Sequence, residues 1–280
     1  MSRVVIVGTT TWGTTLSIIL SRQGIAVTLL ARTIQDYEEL SNVRENPRFL
    51  PNISFPENLQ ISSSPDVTLN DCDLVIFAVP STSLRWNVQW IKNSIKGSPV
   101  ILSATKGLEQ ETGKRMTQVL LEELPRELIG RIAVLSGPNL AMEIIEGRPS
   151  STVVASNNSV RDSVQQTLMS PDFRVYTSED VVGVELGGAL KNIIALGAGL
   201  ADGLNYGNNS KAAFITRGLA EITRLGVAAG ANSLTFYGLA GLGDLMATCM
   251  SNRSRNHYVG EQLATGRPLN EILDSMKNVA

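Results

Sequence analysis

The stretch "VVIVGTTTWGTT", residues 4–15, joins a β-type apolar run to the start of a helical pattern. A dinucleotide-binding turn reads G-x-G-x-x-G in this context. Gly8 and Gly13 hold the first and third glycine places, and Thr10 holds the middle one. The first glycine permits the tight turn and the third lets helix and strand pack closely. The middle one lets the backbone approach a pyrophosphate. Threonine there adds a Cβ and a hydroxyl, which could itself donate to phosphate, and the amides of the helix N-terminus remain. The same residues also read as an ordinary strand-to-helix corner with Thr10 or Thr11 as N-cap. Taken alone, the stretch leaves the two readings even.

Working outward, the chain alternates. Strand candidates lie at Val4–Val7, Ala26–Leu30, Leu74–Val79, Val100–Ser103, Ile132–Leu135, Thr152–Ala155 and Phe173–Tyr176. Several are unbroken Val/Ile/Leu runs, the pattern of strands buried on both faces. Helical patterns lie between them, as at Thr14–Arg22, Leu84–Lys96 and Thr112–Leu121. This βαβ rhythm predicts an α/β fold, with a Rossmann-like, mostly parallel sheet over residues 1–180. From about Asp180 onward strands disappear. Segments 181–201, 211–230, 244–250, 257–265 and 270–277 read as an all-helical domain over 181–280. The end, "NEILDSMKNVA" (270–280), reads as a helix with Asn270 as N-cap and no closing helix or C-cap glycine. The expectation is a small or truncated helical domain.

Composition bounds the partners. With 43% hydrophobic residues in 280 the chain can build a core, and a net charge of −2 gives no bulk attraction to nucleic acid or anionic lipid. Any anion must be held by a few placed cations and amides. Cys72 and Cys249 stand apart, as reduced thiols do in a reducing compartment. No basic leader precedes the first strand, so a cytoplasmic protein is expected. The most apolar stretch, residues 186–204, contains Lys191, Asn192 and Asp202. It reads as a closely packed helix rather than a membrane span.

Chemistry narrows by elimination. After the second strand the chain reads "VTLLARTIQD", with Arg32 where a strict NAD site carries an acid. Arg32 suits a 2′-phosphate and leans toward NADP, though it also reads as a solvated arginine. His257 is the sole histidine, and no tyrosine has a lysine four residues on. No G-x-S-x-G occurs, and no metal-ligand spacing. Lysines remain. Lys106 follows a strand in "ILSATKGLE", at the edge where ligand crevices open. Lys191 sits in a Gly/Ala-rich apolar helix, where burial costs several kcal/mol unless compensated. Desolvation there would suit a general acid/base, and snorkelling to water is the plainer alternative. "SGPNLAMEI" (136–144) is a strand-end turn opening a helix. "SNRSRN" (251–256) sets Arg253 and Arg255 among neutral donors, a set that suits phosphate or a solvated loop.

In order, the G-x-x-x-W-G turn, "ATKGLE", "SGPNLAMEI", "VELGGALKNIIALGAGLADGL", "NNSKAAFITRGLAEI", "GLAGLGDLMATC" and "SNRSRNHYVG" resemble the bacterial NAD(P)-dependent glycerol-3-phosphate dehydrogenases. The resemblance spans nearly the whole chain. It implies hydride exchange between sn-glycerol 3-phosphate and NAD or NADP, yielding dihydroxyacetone phosphate, for phospholipid synthesis. It places the general acid/base on Lys191. Lys106 would touch both cofactor and substrate. Substrate positions fall on Gly137, Asn139, Lys191, Asp244, Ser254, Arg255 and Asn256. Cofactor positions fall on Gly8, Thr11, Trp12, Gly13, Arg32, Ala141 and Arg255. It implies no metal, and a homodimer as the assembly. Departures are Thr10 and the continuation that the family carries past residue 280. The alternatives are a related β-hydroxyacid or 6-phosphogluconate-type dehydrogenase, or a non-catalytic nucleotide-binding paralogue.

Overall fold

The computed structural model describes residues 3–157 and 159–276. The chain runs β1 (Arg3–Val7), α1 (Thr11–Arg22), β2 (Ala26–Leu30), α2 (Ile34–Val43), β3 (Glu45–Asn46), β4 (Leu50–Ser54), β5 (Gln60–Ser62), α3 (Pro65–Thr68) and β6 (Leu74–Phe77). There follow α4 (Leu84–Ile91), β7 (Val100–Ser103), α5 (Met116–Glu123), β8 (Ile132–Ser136), α6 (Ala141–Ile145), β9 (Ser150–Ala155), α7 (Val160–Leu168) and β10 (Phe173–Ser178). The last elements are helices: α8 (Val181–Gly203), α9 (Gly207–Ala228), α10 (Asp244–Met250), α11 (Arg255–Ala264) and α12 (Leu269–Ser275).

One eight-stranded sheet has the order β10-β9-β8-β7-β6-β1-β2-β5. From β5 through β8 the pairs are parallel, with β1 between β2 and β6. Successive residues of β1 point to opposite faces. Val4 and Ile6 join a core with Leu16, Leu20 and Leu29. Val5 and Val7 join another with Leu84, Val88 and Phe77. Both faces are therefore covered, which is why these strands read as unbroken apolar runs. One outer tie is ionic: Arg85 on α4 meets Glu109, and Glu122 and Glu123 on α5.

Several boundaries differ from the sequence reading. β6 stops at Phe77, because the chain turns out through Val79 and Pro80 into a 3-10 turn at Ser81–Ser83. α4 stops at Ile91, and Ser94 folds back onto the carbonyl of Ile91. Residues 109–114 form a turn closed by Glu109 N–H to the Lys114 carbonyl, so α5 begins at Met116 rather than Thr112. α1 begins at Thr11. The N-cap of α12 is Pro268, not Asn270, and no side chain caps it. The last residues of that expected helix, 277–280, lie outside the described residues. The β3–β4 pair and β5 carry no sequence signal, being short and largely polar.

The fold divides into two compact units. The first is Met1–Leu135, Ala141–Ser150 and Val154–Glu179; the second is Ser136–Leu140, Ser151–Val153 and Asp180–Ala280. In the second unit α8 is long and apolar enough to cross a bilayer, yet half of its most apolar window is buried within the protein. Glycines let its neighbours come close. A Cβ at Gly199 would lie 2.0 Å from the His257 carbonyl oxygen, and one at Gly260 2.0 Å from that of Leu196. The two contacts are reciprocal, so α8 and α11 touch backbone to backbone.

The turn of the first unit gives a direct test. A Cβ at Gly13 would sit 2.0 Å from the Gly8 carbonyl oxygen. Gly13→Ala is expected to lower stability in urea by about 1–3 kcal/mol, the usual cost of overpacking. Gly130→Ala, with open space around it, is expected to stay within about 0.5 kcal/mol.

Candidate functional site

In the first unit the site is the turn after β1. Gly8 adopts φ +116, and a Cβ there would strike the Ala78 carbonyl oxygen at 2.7 Å. Thr10 is the N-cap of α1, its hydroxyl oxygen accepting from Gly13 N–H at 3.1 Å. The same hydroxyl donates to the Ala78 carbonyl at 2.6 Å. Its single proton is thus committed inside the fold, and donation to phosphate is not its role in this structure. Asn46, buried, donates to the Thr9 carbonyl and to Thr14 Oγ1, both at 2.8 Å. Thr11 Oγ1 donates to the Phe49 carbonyl at 3.2 Å. The corner is therefore a capped helix start with glycines at its two tight positions, and free-standing amides remain a property of any helix N-terminus.

Trp12 is half-buried against the core face containing Leu16. Arg32, exposed past the end of β2, lays its guanidinium over the Trp86 ring at 3.7 Å. With Gln89 and Trp90 these residues line a surface hollow of about 430 Å³. Lys106 is half-buried three residues after β7, and Ala141 is the first residue of α6. A hollow of about 640 Å³ at the opposite, amino ends of β6 and β7 contains none of the expected site residues.

The second unit holds the lysine. Lys191 is 8% exposed, and its ammonium donates to the Asp244 carboxylate and, at 2.7 Å, to Thr248 Oγ1. Asp244 is 1% exposed. Lys191 therefore does not snorkel. Its burial is compensated by an ion pair with hydrogen bonding on both sides, the arrangement such a pair needs. A π-turn at Leu239–Gly243 leads directly into α10 and delivers Asp244 as its first residue. Thr248 lies one turn further along and also donates to the Asp244 carbonyl. Sequence reasoning missed Thr248, although its i+4 spacing from Asp244 on a helix is visible.

Gly137 and Asn139 belong to the same unit. Thr152 Oγ1 lies 3.0 Å from Asn139 Oδ1 and holds that side chain; Gly137 has φ +157 with the Thr152 Cα pressed against it. Ser254 is the N-cap of α11, with Arg255 and Asn256 the first helical residues. Ser254 is buried and Arg255 exposed. Crowding protein mass lowers the Arg255 pKa by desolvation, but a guanidinium keeps its charge in proteins. His257 is buried and hydrogen-bonded, its Nε2 2.7 Å from Asp202 Oδ2. Among the described residues no group of three or more His, Cys, Asp or Glu could hold a metal.

Two outcomes follow for this unit. Asp244→Ala removes the carboxylate that faces the buried Lys191 ammonium and is expected to cost about 3–5 kcal/mol in urea unfolding. Lys191→Met combined with Asp244→Leu is expected to recover most of that loss. Cys249, beside Thr248, has its thiol pushed up to about 11, first by burial. The folded state then keeps a proton that the unfolded state gives up. Stability from this group is complete below about pH 9 and declines toward pH 11. Urea midpoints should fall more steeply over that window in the wild type than in Cys249→Ala.

Comparison with known proteins gives a consistent result. Residues 3–161 match the model of the NAD-dependent glycerol-3-phosphate dehydrogenase N-terminus, and residues 180–280 that of its C-terminus. A glycerol-3-phosphate dehydrogenase (NAD(P)+) of Dehalococcoides mccartyi is 51% identical over 282 residues, spanning 100% of this chain and 79% of that protein. One from Chlorobium limicola is 45% identical, over 99% of this chain and 84% of its own length. The crystal structure of a glycerol-3-phosphate dehydrogenase from Coxiella burnetii superposes with a TM-score of 0.93 at 36% identity, covering 99% of this chain and 85% of that one.

Proposed function

Since the chain belongs to the NAD-dependent glycerol-3-phosphate dehydrogenase family, we propose that it interconverts sn-glycerol 3-phosphate and dihydroxyacetone phosphate using NAD or NADP. The observation that carries this reading is the buried Lys191 ammonium held by Asp244 and Thr248. Oxidation removes the C2 hydrogen as hydride and the C2 hydroxyl hydrogen as a proton; reduction returns both. The nicotinamide, when bound, takes or gives the hydride. Lys191 handles the proton. In the reducing direction its ammonium stabilises the charge growing on the C2 oxygen and then protonates it. Asp244 and Thr248 fix the ammonium so that little reorganisation accompanies the step.

The residues of the first unit suit a dinucleotide. The Gly8–Gly13 turn and the amides of α1 would take the pyrophosphate, and Thr11 and Trp12 lie in that first turn. Arg32 would take a 2′-phosphate, which favours NADP. Lys106 is assigned to both cofactor and substrate, and Ala141 to the cofactor. In the second unit Gly137 and Asn139 would contact the substrate. Ser254, Arg255 and Asn256 would hold its phosphate, spending remote binding energy on orienting C2; Arg255 would also reach the cofactor. The dinucleotide-binding role is proposed for residues 1–180 and the catalytic role for residues 181–280, with Gly137 and Asn139 grouped with the latter in the second unit. The enzyme would act in the cytoplasm, as a homodimer, supplying glycerol 3-phosphate for phospholipid synthesis.

The test is oxidation of NADPH or NADH by dihydroxyacetone phosphate, followed by absorbance. Lys191→Ala is expected to lower kcat by about 10²–10⁴ while cofactor affinity holds. Arg32→Ala should weaken NADPH binding about tenfold and leave NADH alone, the loss of one charge-assisted contact. Cofactor binding without turnover in the wild type would instead mark a non-catalytic paralogue.

A further inference from the structure

α8 carries a second acid, Asp202, eleven residues beyond Lys191. At 100° per residue eleven steps return to within about 20° of the same face, about 16 Å along the axis. Asp202 Oδ2 accepts from Lys211 Nζ on α9 at 2.8 Å and faces His257 Nε2 on α11 at 2.7 Å. One carboxylate oxygen therefore joins three helices. Burial raises the Asp202 pKa, but the bonds from Lys211 and His257 outweigh it and hold the group below its ordinary value. An ionised carboxylate only accepts, so His257 Nε2 carries the proton that it shares.

His257 directly follows Asn256. Its own N–H is the one capped by Ser254 Oγ, at 3.3 Å, and Gly199 lets its carbonyl sit against α8. His257 Nδ1 is buried with no hydrogen-bond partner, so the Asp202 contact is the ring's one hydrogen bond among the described residues. The two residues before Ser254, Asn252 and Arg253, are exposed. Among the residues of this first turn, His257 has the most deeply buried side chain. The ring is thus an anchor of the turn, beside the buried Ser254.

We propose that Asp202 and Lys211, acting through His257, are positioning residues that hold Ser254, Arg255 and Asn256 in register for a phosphomonoester. This rests on the reading of that segment as the phosphate-holding part of the site. None of the three touches the reacting atoms. Their effect belongs to recognition of the phosphate and not to the hydride or proton step.

The test compares wild type with Asp202→Asn, His257→Ala, His257→Gln and the milder Lys211→Gln. Asp202→Asn and His257→Ala are expected to raise KM for dihydroxyacetone phosphate about tenfold with kcat within twofold, and to leave KM for NADPH unchanged. The slow reduction of unphosphorylated dihydroxyacetone should not change. His257→Gln, which keeps an N–H for Asp202, should recover most of the loss. Calorimetric binding of inorganic phosphate, which needs no turnover, should weaken in parallel. An unchanged KM and phosphate affinity, or equal losses with both ketones, overturns the proposal. Should His257→Ala not fold, Lys211→Gln decides on the same criteria. If the wild type binds phosphate but turns over no ketone, weakened phosphate binding in the variants still sustains this inference while the proposed reaction fails.

Discussion

The buried pair of Lys191 and Asp244 constrains the second unit more than any other contact. An ammonium within a glycine-rich apolar helix needs an opposite charge at hydrogen-bond distance, or it would take the helix to the surface. That requirement fixes α10 against α8 and demands a backbone that can set Asp244 down at the right height. The π-turn at Leu239–Gly243 does so, and such turns recur where an added residue re-aims a functional side chain. Gly187 serves the same constraint, since a Cβ there would lie 2.3 Å from the Ala240 carbonyl oxygen, and other glycines of α8 serve a second contact. They bring α11 to backbone contact, and with it Ser254 and Arg255.

The sheet was legible because its strands are buried on both faces. The runs at Val4–Val7, Ala26–Leu30 and Val100–Ser103 have no polar side that could blur them. The β3–β4 pair and β5 were not legible, since "EN", "LPNIS" and "QIS" have half-exposed, polar surroundings and take their conformation from neighbours. Propensity is a weak guide at such edges.

In the site, Lys191 announced itself through the cost of burying it. Its partner lies 53 residues away, and no local pattern links the two; only the family resemblance pointed to Asp244. His257 shows the converse. As the single histidine in a polar stretch it reads as either a surface or a satisfied group, and it is 3% exposed. Its burial depends on Gly199 and Asp202, which matter only once α8 and α11 meet. Asn46 escaped notice for the same reason, a side chain from one hairpin pinning a turn some 37 residues earlier.

That turn looks local and is not. Gly8 and Thr10 directly follow the first strand, but the oxygen that Thr10 bonds is that of Ala78, at a separation of 68 residues. The left-handed backbone of Gly8 is shaped around the same carbonyl. During synthesis, therefore, the earliest-translated part of the site waits for β6. Closing so long a loop is entropically slow compared with forming α1. The corner takes its final form late in folding, when β1 is enclosed between β2 and β6, and a nascent chain that ends before Ala78 lacks the carbonyl around which it is built.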